Sequence, residues 1–236
     1  MNLILLDQHD FTENNNALLK GRRAEHAISV LNTEVGKTIK VGLVNGNIGQ
    51  GQIISIEDKC ITLKIDNLNI TPPSPLPITL IVAMQRPKTM KKILQSATAM
   101  AVKKFYIIET WKVEKSYWTS PLLLPENIEE QLRLGLEQGG DTVLPEIIIK
   151  KRFKPFVEDE LPEILKGTTG LVAHPTGEKP CPHQAQKKVT LAIGPEGGFT
   201  DYEVEKFTDE GMKAVNIGKR TLRSEFAVTA ILGKLF

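Results

Sequence analysis

Residues 189–227 read VTLAIGPEGGFTDYEVEKFTDEGMKAVNIGKRTLRSEFA and place a glycine-bearing loop after each of two short apolar runs. Residues 189–193 predict a buried strand, 194–198 the turn that leaves it, and 201–209 a helix. Residues 214–217 predict a second strand with its own exit loop. Loops at the carboxyl ends of strands form the ligand crevice of an α/β sheet, so we expect the two loops to lie close together.

Capping signals accompany both helices of this stretch. Thr200 and Glu203 match a capping box, which would hold the glycine turn just outside the start of the helix over 201–209. Ser224 is predicted as the N-cap of a final helix that ends near Leu235.

Strand and helix patterns alternate upstream of this stretch, from residue 78 onward. Such alternation is typical of an α/β domain with a mostly parallel sheet covered on both faces. The further predicted strands cover residues 78–83, 105–108, 146–149 and 170–173, and the predicted helices cover 89–102 and 126–138. The polar segment 178–188 is predicted as a surface loop.

The amino-terminal third has a different pattern, rich in strand-forming residues. Runs at 38–44, 52–56 and 60–65 are separated by turn residues, which suggests a small barrel, with one helix predicted over 23–31. Residues 71–77 carry four prolines and predict a stiff extended connector. We therefore expect two domains, residues 1–72 and 76–236.

Composition narrows the class of protein. The chain has 236 residues with 41% hydrophobic and 25% charged residues, which is ordinary for a folded protein, and no apolar run reaches the roughly 20 residues that span a bilayer. The start at Met1 lacks the basic, apolar pattern of a signal peptide, so the cytoplasm is the expected location, with no membrane partner. Only Cys60 and Cys181 are present, and a disulfide framework is not expected.

A net charge of +2 decides little, but residues 86–115 carry a local excess of six positive charges. Two interpretations remain open for this basic strip. It is either a solvated helix face with a basic loop, or a surface that faces RNA.

The Gly194-Pro195-Glu196-Gly197-Gly198 turn permits close approach of a ligand to the backbone, or it is merely a tight turn. The chain has neither a Walker loop nor a GxGxxG motif after its first strand, so a phosphate cradle is not supported. His174, Cys181 and His183 fit no common zinc spacing, and no metal is expected.

A family resemblance rests on three groups of residues: Gly194 to Gly198, Leu222-Arg223 with Glu225, and Glu137-Gln138 with Pro145-Glu146-Ile147. Together they resemble the RsmE-type ribosomal RNA methyltransferases of the SPOUT class, which methylate N3 of a uridine in 16S rRNA of the small subunit using S-adenosylmethionine. The resemblance implies a trefoil-knotted parallel-sheet domain preceded by a PUA-like β-barrel that binds RNA. It also implies a homodimer, for which the apolar segment 227–236 is a candidate contact.

The resemblance also implies roles for single residues. Those expected to bind the cofactor are Leu171, Ala173, His174, Gly194, Pro195, Glu196, Gly197, Ile217, Gly218, Leu222 and Arg223. Arg223 and Glu225 are the expected catalytic pair: the guanidinium stabilises charge that develops on the uracil, and the carboxylate takes the N3 proton or holds the arginine. The alternative interpretation of Arg223 and Glu225 is a surface salt bridge without a catalytic role. Glu196 is expected either to orient the ligand or to cap a neighbouring loop.

RNA contacts are expected from basic residues of both domains, namely Arg22, Arg23, His26, Arg86, Lys88, Lys112 and Lys115. Trp111, Tyr117 and Trp118 lie among them in sequence and either stack on unpaired bases or pack in the core or a dimer.

The chain departs from the family pattern in four places. Asn32 follows the HxxxVL pattern of 26–31 where an arginine is usual, and Ala99-Met100-Ala101-Val102 lies where members tend to have Glu-Leu-Gly-Val. Asp141 lies in a region where many members have an arginine, and Phe226 replaces a threonine. Two alternative functions are a non-catalytic RNA-binding or ribosome-assembly protein, and a SPOUT methyltransferase that modifies a ribose 2′-hydroxyl or a guanine.

Overall fold

The computed structural model of the chain describes residues 3–29, 32–177 and 179–236. It forms two compact units. Unit 1 comprises Met1–Ser74 and Arg133–Leu144, and unit 2 comprises Pro75–Leu132 and Pro145–Phe236. Residues 133–144 thus belong with the amino-terminal unit, although they follow the proline-rich connector in sequence.

Unit 1 contains a five-stranded mixed sheet with strand order β1-β3-β4-β5-β2. Its strands are β1 Ile4–Leu6, β2 Asn16–Leu19, β3 Thr38–Leu43, β4 Ile48–Glu57 and β5 Cys60–Ile70. The β1–β3 pair is parallel and the other pairs are antiparallel. Within the part of the chain that is described, β1 and β2 are open edges, so the closed barrel stays a prediction.

The three predicted runs correspond to β3, β4 and β5, and Asn45 takes the positive φ of the predicted turn. The sequence pattern did not predict β1 and β2, which have only three and four residues. The helix predicted over 23–31 is α1, Gly21–Ser29; residues 30 and 31, the end of the HxxxVL pattern, lie outside the described residues. Single 3₁₀ turns occupy Gln8–Asp10 and Glu13–Asn15.

The core of unit 1 lies on the sheet, where buried residues of all five strands and α1 form one cluster. A second cluster joins Leu3, Leu5 and Ile48 to Leu136 from the later segment. Polar contacts hold that segment too, since the Thr142 hydroxyl donates to the Gly46 carbonyl at 2.5 Å. The Asp141 carboxylate accepts the N–H groups of residues 142 and 143, so this aspartate ties its own turn together.

Unit 2 contains a seven-stranded sheet with order β10-β12-β9-β11-β6-β7-β8, and every pair in it is parallel. Its strands are β6 Ile78–Ala83, β7 Lys104–Ile108, β8 Glu146–Lys150, β9 Thr168–Ala173, β10 Lys179–Pro180, β11 Lys188–Ile193 and β12 Lys213–Asn216. The predicted α/β class with a parallel sheet is confirmed. The prediction of a surface loop over 178–188 was wrong at Lys179–Pro180, because these residues form β10 and pair with β12. Residue 178 lies outside the described residues.

Helices cover the unit 2 sheet on both faces. They are α2 Pro87–Ala99, α3 Pro125–Gly139, α4 Phe153–Pro155, α5 Leu161–Leu165, α6 Asp201–Asp209 and α7 Ser224–Leu235, with a π-helical turn at Phe156–Glu160 and 3₁₀ turns at Lys115–Thr119 and Pro121–Leu123. Residues 125–132 of α3 group with unit 2 and the rest with unit 1. Ile81 and Tyr106 bury one face against Phe156 and Phe207, while their neighbours Leu80 and Val82, which are also buried, belong to the opposite face. None of the described helices has both the length and the apolarity to cross a membrane.

The position of β9 decides where the loops meet. It pairs with β11 on one side and with β12 on the other. Because all three strands are parallel, their carboxyl ends lie side by side, and the loops that follow them converge.

Candidate functional site

A cavity of about 610 Å³ opens where the loops after β9, β11 and β12 converge, with α2 and α7 contributing to its wall. Most residues predicted to bind the cofactor line it: Ala173, His174, Gly194, Pro195, Glu196, Gly197, Ile217, Gly218, Leu222 and Arg223. Leu171 is not among the lining residues, because it is buried two positions earlier within β9. The cavity also contains Glu225, so the structure brings the expected catalytic pair to the same place.

The glycine turn after β11 is close-packed where it leaves the strand. A Cβ atom on Gly194 would lie 2.9 Å from the backbone nitrogen of Phe199, so no larger residue fits without a backbone shift. The buried Gln85 side chain donates to the Gly194 carbonyl at 2.8 Å and to the Ala83 carbonyl at 2.9 Å. Gln85 thereby ties the end of β6 to the start of the turn.

The predicted capping box at α6 is present. Thr200 accepts from the Glu203 N–H at 3.2 Å, and one Glu203 oxygen accepts from the Thr200 N–H at 2.7 Å. The other oxygen accepts from the backbone N–H of Trp111 at 2.7 Å. The buried carboxylate of Glu203 thus joins the loop after β7 to the helix that follows the glycine turn.

Two further bonds attach neighbouring segments to the same turn. Glu196 accepts the Arg86 N–H at 2.8 Å, at the start of α2, which favours the interpretation that Glu196 caps a neighbouring loop. The Lys112 ammonium donates to the Gly197 carbonyl at 2.9 Å. Arg86 and Lys112, both predicted to contact RNA, are exposed and line the cavity.

Hydrogen bonds to backbone carbonyls join the segment after β9 to the end of β12. His174 donates its N–H to the Val215 carbonyl at 2.9 Å, and the Asn216 side chain donates to the Gly177 carbonyl at 2.6 Å. The Asn216 side-chain oxygen in turn accepts the Gly218 N–H at 3.1 Å. Gly218 has a φ of +129°, a conformation that residues with a side chain rarely adopt.

The expected catalytic pair lies at the start of α7. The N-cap was predicted at Ser224; this was wrong, because Arg223 is the N-cap and Ser224 is already helical and buried. Arg223 is exposed, and none of the ion pairs of the described residues involves its guanidinium. Glu225 is nearly buried, with its carboxylate 3.4 Å from the Lys92 ammonium.

Lys92 is a site residue that the sequence did not reveal. It lies on α2, 133 residues before Glu225, and in sequence it is one of several lysines of a basic strip. Gln85 and Asn216 were also missed, because neither belongs to a recognisable motif. In a single sequence, their contacts leave no signal.

The predicted RNA-binding residues of unit 1 lie on or near α1, and two are engaged within that unit. Arg23 donates to the Leu5 carbonyl at 2.8 Å and to both Asp10 oxygens, at 2.5 and 2.7 Å. Arg22 donates to Glu137 at 3.0 Å, and burial raises the pKa of that carboxyl despite the arginine. Burial lowers the pKa of His26, and nearby positive charge that includes Arg22 adds to the effect.

The remaining predicted RNA contacts, Lys88 and Lys115, are exposed residues of unit 2. The Asn32 carbonyl accepts a bond from Lys37 at 3.5 Å. The two cysteines are free thiols.

One group of potential metal ligands occurs in the described part of the chain: Asp7, His9 and Asp10. Their carboxylates are engaged by arginines, since Arg133 donates to both Asp7 oxygens at 2.7 and 3.0 Å and Arg23 binds Asp10. The pair of arginines supplies the positive charge that an ion would bring. The three residues are therefore not assigned as a metal site.

The family model described as "RNA methyltransferase domain" matches residues 72–235, more than two thirds of the chain. This chain is a member of the RNA methyltransferase domain family. Among curated proteins, it is 28% identical to ribosomal RNA small subunit methyltransferase E of Treponema pallidum, over 98% of this chain and 88% of that protein. It is 26% identical to ribosomal RNA small subunit methyltransferase E 1 of Borreliella burgdorferi, over 98% and 95%.

Solved structures of this RNA methyltransferase fold agree with the chain over nearly its whole length. A protein of Legionella pneumophila, described as a methyltransferase and solved in complex with S-adenosylmethionine, has a TM-score of 0.76 at 23% identity, over 98% of this chain and 95% of that one. A ribosomal RNA small subunit methyltransferase E of Neisseria gonorrhoeae bound to S-adenosylmethionine has a TM-score of 0.72 at 20% identity, over the same shares.

Proposed function

We propose that this RNA methyltransferase uses S-adenosylmethionine to methylate N3 of a uridine in 16S rRNA of the small ribosomal subunit. The observation that carries the proposal is the cavity between the loops after β9, β11 and β12, whose lining includes both Arg223 and Glu225. Two curated relatives named ribosomal RNA small subunit methyltransferase E, matched over 98% of the chain, support the choice of substrate.

The residues of the cavity suit S-adenosylmethionine. A volume of about 610 Å³ lies within the range of sites that bury a ligand of this size. Gly194, Gly197 and Gly198 have no side chains and bring turn backbone to the cavity lining, and Ile193, Ile217 and Leu222 supply apolar surface for an adenine ring. Bound there, the cofactor would supply an electrophilic methyl group.

The chain's own residues then act on the uracil. Uridine N3 carries a proton at neutral pH, so methylation requires its removal and stabilisation of the charge left on the flanking carbonyl oxygens. The guanidinium of Arg223 stays charged and offers paired donors for those oxygens. We assign Glu225 as the proton acceptor, with Lys92 fixing its carboxylate at the cavity wall through the 3.4 Å ion pair.

The RNA is proposed to contact both parts of the chain. We propose residues 1–72 as a PUA-like RNA-binding domain and residues 76–236 as the catalytic domain. Contacts are assigned to Arg22, Arg86, Lys88, Lys112 and Lys115. Arg22 is kept because 41% of its side chain is exposed beside Glu137. Arg23 is left out because its guanidinium holds Asp10 and only 17% of its side chain is exposed, and His26 because burial disfavours its charged form.

Two features of the family complete the proposal. The loops that line the cavity are proposed to form a trefoil knot, since β9 lies between β11 and β12, which both follow it in the chain. A homodimer in the cytoplasm is proposed through α7, where Phe226 and Phe236 are exposed apolar residues. No metal takes part in the proposed reaction.

The deciding experiment supplies isotope-labelled S-adenosylmethionine and small subunits from a strain that lacks the modification. Mass spectrometry of the digested RNA should identify 3-methyluridine in 16S rRNA, with naked rRNA as the comparison substrate. Detection of 2′-O-methylribose or a methylguanosine would replace the target. Binding to subunits without any methyl transfer would instead favour a ribosome-assembly protein.

A further inference from the structure

The loop that joins β7 to α3 presents a tryptophan to solvent beside the cavity. Trp111 is 86% exposed, the largest exposed fraction among the large apolar residues of the described chain. A single exposed apolar residue is common on protein surfaces and by itself indicates nothing. Trp111 differs from an ordinary exposed apolar residue because its backbone is anchored beside the cavity.

Its backbone is fixed while its side chain is left free. The Trp111 N–H donates to the buried Glu203 carboxylate at 2.7 Å, and the next residue, Lys112, reaches the Gly197 carbonyl at 2.9 Å. Both partners flank or belong to the glycine turn. The loop is thus held against the cofactor cavity at two successive residues, and the indole is presented from a rigid base.

The surroundings of the indole carry positive charge. Lys112 and Arg86 line the cavity, and Lys115 is exposed one turn further along the loop. The Arg86 guanidinium also donates to the Tyr117 hydroxyl at 3.4 Å, which places a second aromatic ring in the same basic region. A flat aromatic surface among cations matches a ligand that combines planar rings with phosphates.

We propose that Trp111 is a stacking platform for an unpaired base of the RNA, next to the nucleotide that enters the cavity. Unpaired bases stack on aromatic side chains of RNA-binding proteins, while nearby lysines and arginines neutralise the phosphates. Tryptophan suits this role because its ring is large and has only two rotatable bonds. The inference rests on the proposed function for the identity of the RNA, but its test does not require methyl transfer.

The first test uses the two tryptophans of the chain. Trp118→Phe leaves Trp111 as the sole indole, and the change is mild because the Trp118 ring nitrogen has no hydrogen-bond partner among the described residues. Single-stranded decauridylate should quench the Trp111 fluorescence. Heparin, a polyanion without bases, should not; equal quenching by heparin would contradict stacking.

The second test compares affinities for labelled decauridylate. Trp111→Ala should weaken binding about 5- to 150-fold, the change that corresponds to one stacked base, whereas Trp111→Phe should retain most of it. Tyr202→Ala is the matched control, since Tyr202 is an exposed aromatic residue outside the cavity lining. Unchanged affinity of Trp111→Ala would overturn the proposal.

Two further measurements distinguish base stacking by Trp111 from a role in cofactor binding and from a role in an interface between copies. Calorimetry with S-adenosylmethionine should give the same affinity for Trp111→Ala as for the natural chain; absence of binding to both would defeat the proposed function and leave the stacking result standing. Sedimentation should give the same oligomeric state for both. A shift toward monomer in Trp111→Ala would assign the indole to an interface between copies and overturn the platform.

Discussion

The ammonium of Lys92 lies 3.4 Å from the carboxylate of Glu225, which joins α2 to the first turn of α7 at the wall of the cavity. Glu225 is the more enclosed partner, with 8% of its side chain exposed against 52% for Lys92. A nearly buried carboxylate needs such a partner, since burying an unpaired charge is costly. The pair therefore defines the position of the group that we assign as proton acceptor.

Replacement of Lys92 by methionine should lower turnover about tenfold, because small misplacements of a reacting group have effects of this size or larger. Lys92→Arg keeps the charge and should recover most of the activity. The measurement is the rate of methyl transfer to small subunits at saturating S-adenosylmethionine. Equal rates for the methionine variant and the natural chain would remove Lys92 from the mechanism.

Replacement of Arg223 by alanine should reduce turnover by about 10²- to 10³-fold, as expected for a group that stabilises charge in the transition state. The affinity for S-adenosylmethionine should change far less, because such a group acts mainly after the substrates are bound. Single-turnover kinetics and calorimetry measure the two quantities separately, and Arg223→Lys is the control that keeps the charge. A loss of cofactor affinity that matches the loss of turnover would assign Arg223 to binding alone.

The glycine turn predicts a difference between two alanine variants. A Cβ on Gly194 would meet the Phe199 backbone nitrogen at 2.9 Å, whereas one on Gly197 would meet the flexible Lys112 side chain at 3.1 Å. Overpacking against backbone costs about 1–3 kcal/mol of folding free energy, so Gly194→Ala should lower stability more than Gly197→Ala. The backbone shift that relieves the contact displaces the turn that lines the cavity, so Gly194→Ala should also weaken S-adenosylmethionine binding more than Gly197→Ala. Calorimetry checks the order, with thermal unfolding to show that both variants fold. The reverse order would contradict this geometry.

Asp10 predicts a pH-dependent contribution to the stability of unit 1. Burial opposes its charge, but hydrogen bonds from Arg23 and from the Asp7 N–H, together with the charge of Arg23, outweigh burial and hold the pKa of the carboxyl below its usual value of 3.8. A depressed folded pKa means that the stabilisation is fully present above the unfolded value and is lost as pH falls through the folded value.

Asp10→Asn should therefore lower the free energy of unfolding by about 1.5–3 kcal/mol at pH 7, the worth of a hydrogen bond to a charged group. The difference from the natural chain should shrink below about pH 4. Urea unfolding at several pH values measures it, with the exposed Asp66→Asn as the matched control. A difference that is independent of pH would show that the ion pair is not its source.

If the homodimer forms through α7 as proposed, negative charge on the exposed residues at its two ends should disrupt it. Phe226 is 55% exposed and Phe236 is 39% exposed, so glutamate at both positions should leave the fold intact and shift the protein toward monomer. Val35→Glu is the matched control, because Val35 is an exposed apolar residue of unit 1. Light scattering at micromolar concentration checks the outcome. A natural chain that is already monomeric would remove the dimer from the proposal.

Local patterns in the sequence determined most elements of unit 2. Residues 78–83 and 201–209 form the predicted strand and helix with the predicted bounds, and the Thr200–Glu203 capping box is in place. These features depend on periodicity and on side chains three or four residues apart, which a single sequence displays. The glycine turn is likewise visible in the sequence, whereas the roles of Arg223 and Glu225 follow from the family resemblance and stay a prediction.

Tertiary structure alone decided which distant residues share the site. Lys92 meets Glu225 across 133 positions, and Gln85 meets Gly194 across 109, because a parallel sheet brings together strands that are far apart in the chain. In unit 1, the packing of Leu136 with Leu3 and Leu5 places residues 133–144 with the amino-terminal unit, and the fold brings Arg23, predicted to contact RNA, to Asp10 instead. A charge on a helix has the same sequence pattern whether it binds phosphate or a buried carboxylate, and only the folded chain supplies the partner.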